Sequence, residues 1–312
     1  MSFTGVSISL LALAASASAS LRTCSNNNTL SCHSSSKAPT CCYNYPGGAL
    51  LQTQFWDTDP STGPTDSWTM HGLWPDNCDG TYESNCDDTR AYTNITDILK
   101  AQDRADLLSY MDKYWLDIDG DNESFWAHEW GKHGTCVNTI KPSCYSNYSP
   151  QEEVGAYFEK TVDLFKGLDT YKALSSAGIT PDDSKTYTLK EIQSALSKAH
   201  DGAEVYLGCK SGKLNEAWYF FNVRGNAIDG KYQAADSLEL SQQWHQVPPQ
   251  GKLNACAEID LLGHPRADDS LLNDDLHFIL GYLYWYLRYR VHEYYLPRIN
   301  DTPSLEASQE IY

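Results

Sequence analysis

The chain has 312 residues, a formal net charge of −18 and ten cysteines. The length fits one large domain or two small ones, with room for a sizeable hydrophobic core. Its acidity, without a cluster of lysine and arginine, excludes a protein that holds nucleic acid along an extended basic track.

The amino-terminal segment has the pattern of a secretory leader. Residues 6–19 are apolar and end in small residues, and both Ala15-Ser16-Ala17 and Ala17-Ser18-Ala19 suit a signal peptidase. The segment lacks positive charge apart from the amino terminus, and a short buried helix is the alternative. We expect residues 1–19 to be a signal peptide and the protein to be secreted, extracellular or in a vacuolar or lysosomal-type compartment.

The cysteines fit an oxidising environment. All ten lie after residue 23, so removal of the leader leaves an even number, and we expect disulfides. Spacing leaves the connectivity open, although the neighbours Cys41 and Cys42 are not expected to pair with each other. The sequence also has five sequons, which are predicted glycosylation sites: Asn27, Asn94, Asn122, Asn147 and Asn300. A proline after two of these sequons makes Asn147 and Asn300 the weaker candidates.

Strand and helix patterns alternate along the chain. After a loop-like segment, residues 21–50, alternation predicts a strand at 51–56 and a loop at 57–67. The helical spacing of apolar residues predicts one helix over 97–115. Two later strands are predicted at 204–209 and 216–223, and the second is so apolar that we expect it to be central in its sheet.

Two further helices are predicted from their starts. Ser149 is the expected cap of one helix, with Pro150 at the first helical position and Glu152 closing a capping box. Thr188 and Glu191 form a second capping box, which opens a helix to about residue 200.

A tyrosine-rich stretch follows near the end of the chain, at residues 276–295. Its uncharged run is too short to span a membrane. A helix packed on the domain is favoured over a surface-seeking amphipathic helix.

Two segments carry the chemistry, Met70–Asp76 and Trp126–Cys136. If the second is helical, His128 and Lys132 lie on neighbouring turns, and so do Glu129 and His133. We expect Glu129 to raise the basicity of His133 and to orient it, with Lys132 and His128 adding positive charge.

Glycine at 131 is costly in a helix, by about 1 kcal/mol relative to alanine. It therefore predicts that something approaches the helix closely at that position.

A zinc protease is the competing interpretation of this helix. Zinc sites use His-Glu-x-x-His, in which the histidines are four positions apart, whereas His128 and His133 are five positions apart. That spacing places the two side chains about 140° apart around the helix, so they cannot share one tetrahedral zinc as an i, i+4 pair does. Purely structural histidines are the other alternative, disfavoured by the grouping of three histidines with Glu and Lys. We expect neither metal nor cofactor.

His71 supplies a second proton-transfer group from elsewhere in the chain. Internal cleavage of an RNA phosphodiester needs a base for the ribose 2′-OH, an acid for the leaving 5′ oxygen, and cations for the transition state. Histidine suits both proton transfers because its ordinary pKa is about 6.5. Aromatic and acidic residues could form base pockets, although core packing is at least as good an interpretation for Trp74 and the better one for Phe125. These residues are Trp74, Asp76, Tyr82 and Phe125.

The two segments resemble those of the ribonuclease T2 family, particularly its secreted fungal members. His-Gly-Leu-Trp-Pro at 71–75 and Trp-Ala-His-Glu-Trp-Gly-Lys-His-Gly-Thr-Cys at 126–136 match the family's two active-site segments in order. The resemblance runs from about Cys24 to Cys256. It implies an α+β catalytic domain over residues 20–260, with a central antiparallel sheet flanked by helices, and cleavage of single-stranded RNA through 2′,3′-cyclic phosphates.

The resemblance also implies roles for individual residues. His133 would be the base and His71 the acid of the first step, Glu129 and Lys132 would stabilise the transition state, and His128 would bind phosphate. Trp74, Asp76 and Tyr82 resemble the first base site, and Phe125 part of the second. The fungal disulfide pattern implies Cys24–Cys42, Cys32–Cys78, Cys41–Cys144, Cys86–Cys136 and Cys209–Cys256. Residues 261–312 depart from the family as a carboxy-terminal extension of unassigned role.

A metal-independent endoribonuclease is therefore the leading hypothesis, with an acidic pH optimum and low base specificity. A non-catalytic recognition or cytotoxic protein on the same scaffold is less favoured, because both histidines are kept. A metal-dependent hydrolase is disfavoured by the histidine spacing. We expect single-stranded RNA as the partner, no membrane anchor and a monomer.

Overall fold

The computed structural model describes residues 20–25, 29–34, 39–58, 60–182, 185–210 and 213–238. These residues belong to the first of two units of the chain, Met1–Pro265. The predicted leader 1–19, the extension 261–312 with its tyrosine-rich stretch, and two of the sequons, Asn27 and Asn300, lie outside the described residues.

The strands of the described chain are β1 (Ser20–Leu21), β2 (Ala49–Phe55), β3 (Thr69–Asp76), β4 (Tyr145–Ser146), β5 (Tyr206–Lys210), β6 (Lys213–Arg224) and β7 (Lys231–Ala235). Five of them form the central antiparallel sheet, in the order β3-β2-β6-β5, with β7 also paired to β6. The very short strands β1 and β4 pair separately.

Helices occupy the chain between β3 and β5. They are α1 (Ile95–Ala101), α2 (Ala105–Tyr114), α3 (Asn122–Lys132), α4 (Glu152–Gly167), α5 (Thr170–Ser176) and α6 (Leu189–Ala199), with short 3-10 turns at 88–90, 134–136, 138–140 and 142–144. Together with the sheet they confirm the predicted α+β class.

The two faces of the sheet have different surroundings. Leu50 and Leu73 are buried among residues of α1 to α4, and Tyr219 and Phe221 are buried among residues of α5 and α6. The opposite face forms a small cluster around Leu51, which includes no residue of the helices. Since side chains alternate along a strand, one face of the sheet packs into the core. The opposite face, around Leu51, is the open face of the sheet.

Several predicted elements are confirmed. The predicted strand at 51–56 is β2, and β6 is central because it pairs with β2 along one edge and with β5 and β7 along the other. The capping box at Thr188 is present, with the hydroxyl accepting from the Glu191 N–H and the Glu191 carboxylate accepting from the Thr188 N–H.

Two helix predictions were wrong in detail. The single helix expected over 97–115 is two helices, because the backbone turns at Asp103, whose φ of 57° is left-handed. The helix expected to begin after Ser149 begins at Glu152, with Gln151 as the N-cap at a φ of 67°. Ser149 retains half of the predicted box, since its backbone N–H donates to Glu152 Oε1 at 3.1 Å. Local left-handed turns at residues other than glycine leave no clear pattern in the sequence.

Four of the five disulfides implied by the resemblance are present: Cys24–Cys42, Cys32–Cys78, Cys41–Cys144 and Cys86–Cys136. The fifth, Cys209–Cys256, involves a residue outside the described part of the chain.

Of the sequons within the described residues, Asn94 and Asn147 are exposed. Asn122 is partly buried, and its side-chain oxygen accepts from the Asp117 N–H at 2.9 Å. Among the helices of the described segments, none has the length and apolar character needed to cross a bilayer.

Candidate active site

A β-bulge in β3 directs His71 into the site. The register pairs Gly72 with Thr53 and Met70 with Gln54, so His71 is an extra residue between two paired ones. A bulge bends its strand and redirects the side chain there. With regular alternation, His71 would point into the core that Met70 occupies; the extra residue instead turns it to the open face of the sheet.

His71 is held between aromatic rings and a carboxylate. Its ring stacks on Phe55, with centroids 4.0 Å apart, and lies 5.7 Å from the ring of Phe125. His71 Nε2 is 3.5 Å from Glu129 Oε1, and the His71 side chain is 20% exposed. Burial, followed by the charges of Lys132 and His128, lowers the pKa of His71 well below its ordinary value.

Helix α3 brings the other predicted catalytic residues to the same place. The helix starts where the Asp121 side chain accepts from the Ser124 N–H, and Trp126 and Trp130 anchor it in the core. It ends at Lys132, and the next residue, His133, still has helical backbone angles. The helical backbone predicted for residues 128–133 is therefore present, with His128 and Lys132, and Glu129 and His133, on neighbouring turns.

Glu129 is completely buried between α3 and β3. Its Oε2 accepts a hydrogen bond from Trp74 Nε1 at 2.9 Å, while its Oε1 faces His71. A Cβ at Gly72 would overlap Glu129 Oε2. Glycine at position 72 is therefore what lets the carboxylate lie directly on the strand.

His133 is 4% exposed and stacks on the Trp74 indole, with centroids 4.8 Å apart and an interplanar angle of 17°. Burial is the main cause that lowers its pKa well below the ordinary value, followed by the charges of Lys132, His71 and His128. The sequence led us to expect that Glu129 would raise the basicity of His133, whereas the pKa of His133 is lowered overall and the Glu129 carboxylate contacts His71 and Trp74. A buried imidazole with a lowered pKa stays neutral into the acid range, as a base must.

Lys132 is partly buried and His128 is exposed. Both act on the two imidazoles through their positive charges. The structure therefore brings together the five residues predicted to be catalytic, with His128 at the solvent side.

The predicted base-site residues flank this group. Asp76 is buried at the end of β3, and an isolated bridge joins it to Tyr82, which is 47% exposed. Phe125 lies against His71, five residues before Asp76 along β3. Trp74 is shared, since its indole touches both catalytic imidazoles as well as Glu129.

Gly131 does not have the close neighbour that the sequence led us to expect. A Cβ at this position would meet only Ala91 Cβ, at 3.9 Å, which is an ordinary van der Waals contact. Within the described protein, nothing requires glycine there.

Two aromatic residues and one arginine beside the site were not predicted from the sequence. Phe55 supports His71, and Trp218 packs edge-on against Trp74 with centroids 5.1 Å apart. Arg90, a buried residue, donates from Nη2 to the Thr135 carbonyl just beyond His133 at 2.9 Å. Phe55 lies in a predicted strand, but its contact with His71 depends on the alignment of β2 with β3, which the sequence does not show.

In the described part of the chain, no group of three or more His, Cys, Asp or Glu side chains is arranged to hold a metal ion. The site offers two imidazoles with lowered pKa values, a buried carboxylate and a lysine, which suits proton transfer at an anionic centre.

The fold and the site thus define an acid–base site of the kind that acts on phosphate esters. A sequence model of the ribonuclease T2 family matches residues 47–230. The chain belongs to the ribonuclease T2 family, and it is a T2-type endoribonuclease with RNA as its substrate class.

Individual relatives agree with this assignment. The chain is 60% identical to ribonuclease T2 of Aspergillus oryzae (strain ATCC 42149 / RIB 40), over 75% of this chain and 85% of the relative. It is 60% identical to ribonuclease M of Aspergillus phoenicis, over 70% of this chain and 92% of the relative. Its structure is similar to the crystal structure of Actibind, a T2 ribonuclease, with a TM-score of 0.69 and 59% identity over 70% of this chain and 93% of that one.

Proposed function

We propose that the protein cleaves single-stranded RNA without a metal ion, by transphosphorylation through a 2′,3′-cyclic phosphate followed by slower hydrolysis to a 3′-phosphate. The observation that carries the proposal is the shared indole of Trp74. His133 stacks on it, His71 meets it edge-on with centroids 4.6 Å apart, and Glu129 accepts its N–H. Two proton-transfer groups from separate segments are thereby fixed beside one another.

In the first step, neutral His133 takes the proton of the 2′-OH, and the 2′ oxygen attacks phosphorus. The bond from phosphorus to the 5′ oxygen breaks, and protonated His71 gives its proton to that leaving oxygen. The products are a 2′,3′-cyclic phosphate and a 5′-hydroxyl. In the second step the roles reverse, since His71 removes a proton from water and His133 returns one to the 2′ oxygen.

Charged neighbours stabilise both the negative phosphorane and the positive imidazolium of His71. Lys132 stabilises the additional negative charge on the phosphorane oxygens, and His128 contacts phosphate from the solvent side. Glu129 lies 3.5 Å from His71 Nε2, so its carboxylate stabilises the imidazolium form that burial disfavours. Glu129 thus acts on the transition state through the acid.

Two base sites would flank the reacting phosphate. Trp74, Asp76 and Tyr82 would hold the base of the nucleotide that carries the attacking 2′-OH, and Phe125 the base that follows. A buried Asp76 carboxylate accepts from an exocyclic amine, which adenine, cytosine and guanine all have. This supports low base specificity.

We also propose that the protein is secreted and monomeric. The leader-like residues 1–19 and the four described disulfides support secretion. Asn94 is the described sequon best placed to carry glycan, because it is exposed and no proline follows its sequon; Asn147 is also exposed but is followed by Pro150.

The test is digestion of single-stranded RNA at pH 5 with EDTA present, by the protein and by His71→Phe. We expect the protein to cleave and the variant to lose activity by about 10²–10⁴-fold, the usual contribution of one positioned acid or base. Circular dichroism serves as the control for folding. Activity that survives in a folded His71→Phe protein, or that EDTA abolishes, would contradict the proposal.

A further inference from the structure

A cavity lies outside the catalytic group, on the open face of the sheet. It is a cavity of about 280 Å³, bounded by the Cys32–Cys78 disulfide. The cavity has an apolar wall and a polar edge. The wall consists of Ala49, Phe220, Ala235 and Leu238, and the edge of His33, Asn222 and Asp236.

The strand register places this cavity beside the first base site. Ala49 is opposite Asp76 on one side and opposite Asn222 on the other, so these three residues form one row across β3, β2 and β6. Neighbouring strands are about 4.8 Å apart, which puts the backbone at Asn222 about 10 Å from that at Asp76. Residues directly opposite each other share a face of the sheet, so the cavity continues the surface on which the substrate would lie.

The polar edge is held in a fixed arrangement. Asn222 Nδ2 lies 3.1 Å from His33 Nε2, and the Asp236 side chain accepts from the Glu204 N–H at 2.8 Å. An amide, an imidazole and a carboxylate beside an apolar wall suit a nucleobase, which has an apolar face and donors and acceptors around its edge. Among the described residues that line the cavity there is a carboxylate and no lysine or arginine, which favours a base over a phosphate group.

We infer that this cavity is an additional RNA subsite, which takes the base of the nucleotide immediately 5′ to the first base site. The direction follows from the order of the sites, because Phe125 contacts His71, whereas Asp76, which is beside the cavity, lies five residues farther along β3. The inference rests on the proposed function and on its assignment of the first base site. The enzyme would then bind at least three consecutive nucleotides of a single strand.

The test uses oligonucleotides with a single ribose, so that only one bond can be cleaved. The reference is a dinucleotide with a 5′-phosphate and its ribose at the first position. One extended substrate has an additional deoxynucleotide at the 5′ end, and another has it at the 3′ end. We expect the 5′ extension to raise kcat/KM about tenfold, which corresponds to about 1.4 kcal/mol, and the 3′ extension to raise it less.

Variants then locate the source of that gain. Asn222→Ala and His33→Ala should each remove most of the gain from the 5′ nucleotide while cleaving the dinucleotide at an unchanged rate. Gln233→Ala is the matched control, because Gln233 is an exposed amide directly opposite Asn222 on β7 but does not line the cavity. This control should retain the gain.

The subsite would be disproved if the 5′ nucleotide gave no gain, if the gain survived both variants, or if Gln233→Ala lost it equally. Failure of the proposed function has a different signature, in which the folded protein cleaves none of the substrates, and the subsite is then rejected with it.

Discussion

At the scale of single residues, the site depends on a carboxylate that has been removed from water. Burying a charge is costly unless it is paired and hydrogen-bonded, and Glu129 meets this condition through Trp74 and His71. The arrangement needs the backbone of β3 to come very close. Gly72 is consequently a functional residue although it has no side chain.

Two glycine substitutions separate this requirement from general helix stability. Gly72→Ala should reduce kcat by at least about tenfold, because a Cβ would displace Glu129 and Trp74. Gly131→Ala should keep kcat and raise the free energy of unfolding by about 0.5–1 kcal/mol, since only Ala91 is near and alanine favours a helix. Steady-state kinetics and urea unfolding of both variants check this pair, and equal activities would contradict the role given to Gly72.

The dependence of activity on pH should reflect the lowered pKa values of the two histidines. Activity needs one imidazole protonated and one neutral, and the pKa values of both His71 and His133 are lowered. The profile of kcat/KM should therefore be bell-shaped, with its centre on the acid side of the ordinary histidine pKa. A flat profile between pH 4 and pH 8 would contradict it.

His128→Gln tests whether the positive charge of His128 lowers the pKa values of His71 and His133. Removing a positive charge makes protonation of His71 and His133 easier, so the pKa values of both should rise and the whole profile should move to higher pH. Lys190→Gln on α6, an exposed lysine, is the control and should leave the profile in place. A profile of His128→Gln that is unmoved, or displaced to lower pH, would show that His128 does not act through its charge.

At the scale of elements, the end of α3 is fixed by the segment before α1. The N–H of Asn85 donates to the Lys132 carbonyl at 3.0 Å, and the N–H of Cys86 donates to Thr135 Oγ1 at 3.1 Å. The Cys86–Cys136 disulfide closes the same contact. These bonds hold the backbone on both sides of His133.

Removing this disulfide should therefore affect catalysis as well as stability. Cys86→Ala/Cys136→Ala opens a loop with a sequence separation of 50, and Cys24→Ala/Cys42→Ala one of 18. Chain entropy predicts losses of about 4 and about 3 kcal/mol, respectively, in the free energy of unfolding. With both proteins folded, at a temperature below their unfolding transitions, kcat should fall only in the first. Equal kcat values in the two variants would show that the bridge has no positioning role.

The helical part of the site was predictable because its spacing is local. Residues 128 to 133 follow helical geometry, so their grouping follows from the sequence once a helix is assumed. The position of His71 was not predictable in the same way. Its strand contains an extra residue that breaks the alternation, and the orientation of Glu129 depends on a contact between elements far apart in the chain. For that reason the contacts of Glu129 with His71 and Trp74 were not predicted.

At the scale of the whole molecule, an acidic protein acts on an acidic polymer. With a net charge of −18, we expect attraction to RNA to come chiefly from the positive groups near the catalytic histidines, Lys132 and His128. Each phosphate contact to a single strand contributes about −0.7 to the slope of log affinity against log salt. Two contacts predict a slope of about −1.4.

This slope is measurable with a protein that binds without cleaving. His71→Phe, titrated with a short single-stranded RNA at pH 5 over a range of salt concentrations, should give the shallow slope. A slope of −3 or steeper, which corresponds to about four or more phosphate contacts, would reveal a basic track that the described surface does not show.

Transphosphorylation by two histidines without metal leaves a chemical signature at the ends of the fragments. The measurement is mass spectrometry of the earliest products from single-stranded RNA at pH 5 in EDTA. We expect fragments that end in 2′,3′-cyclic phosphate, converted slowly to 3′-phosphate. Early fragments that carry 5′-phosphate and 3′-hydroxyl ends, or 3′-phosphate ends that form without a cyclic precursor, would contradict it.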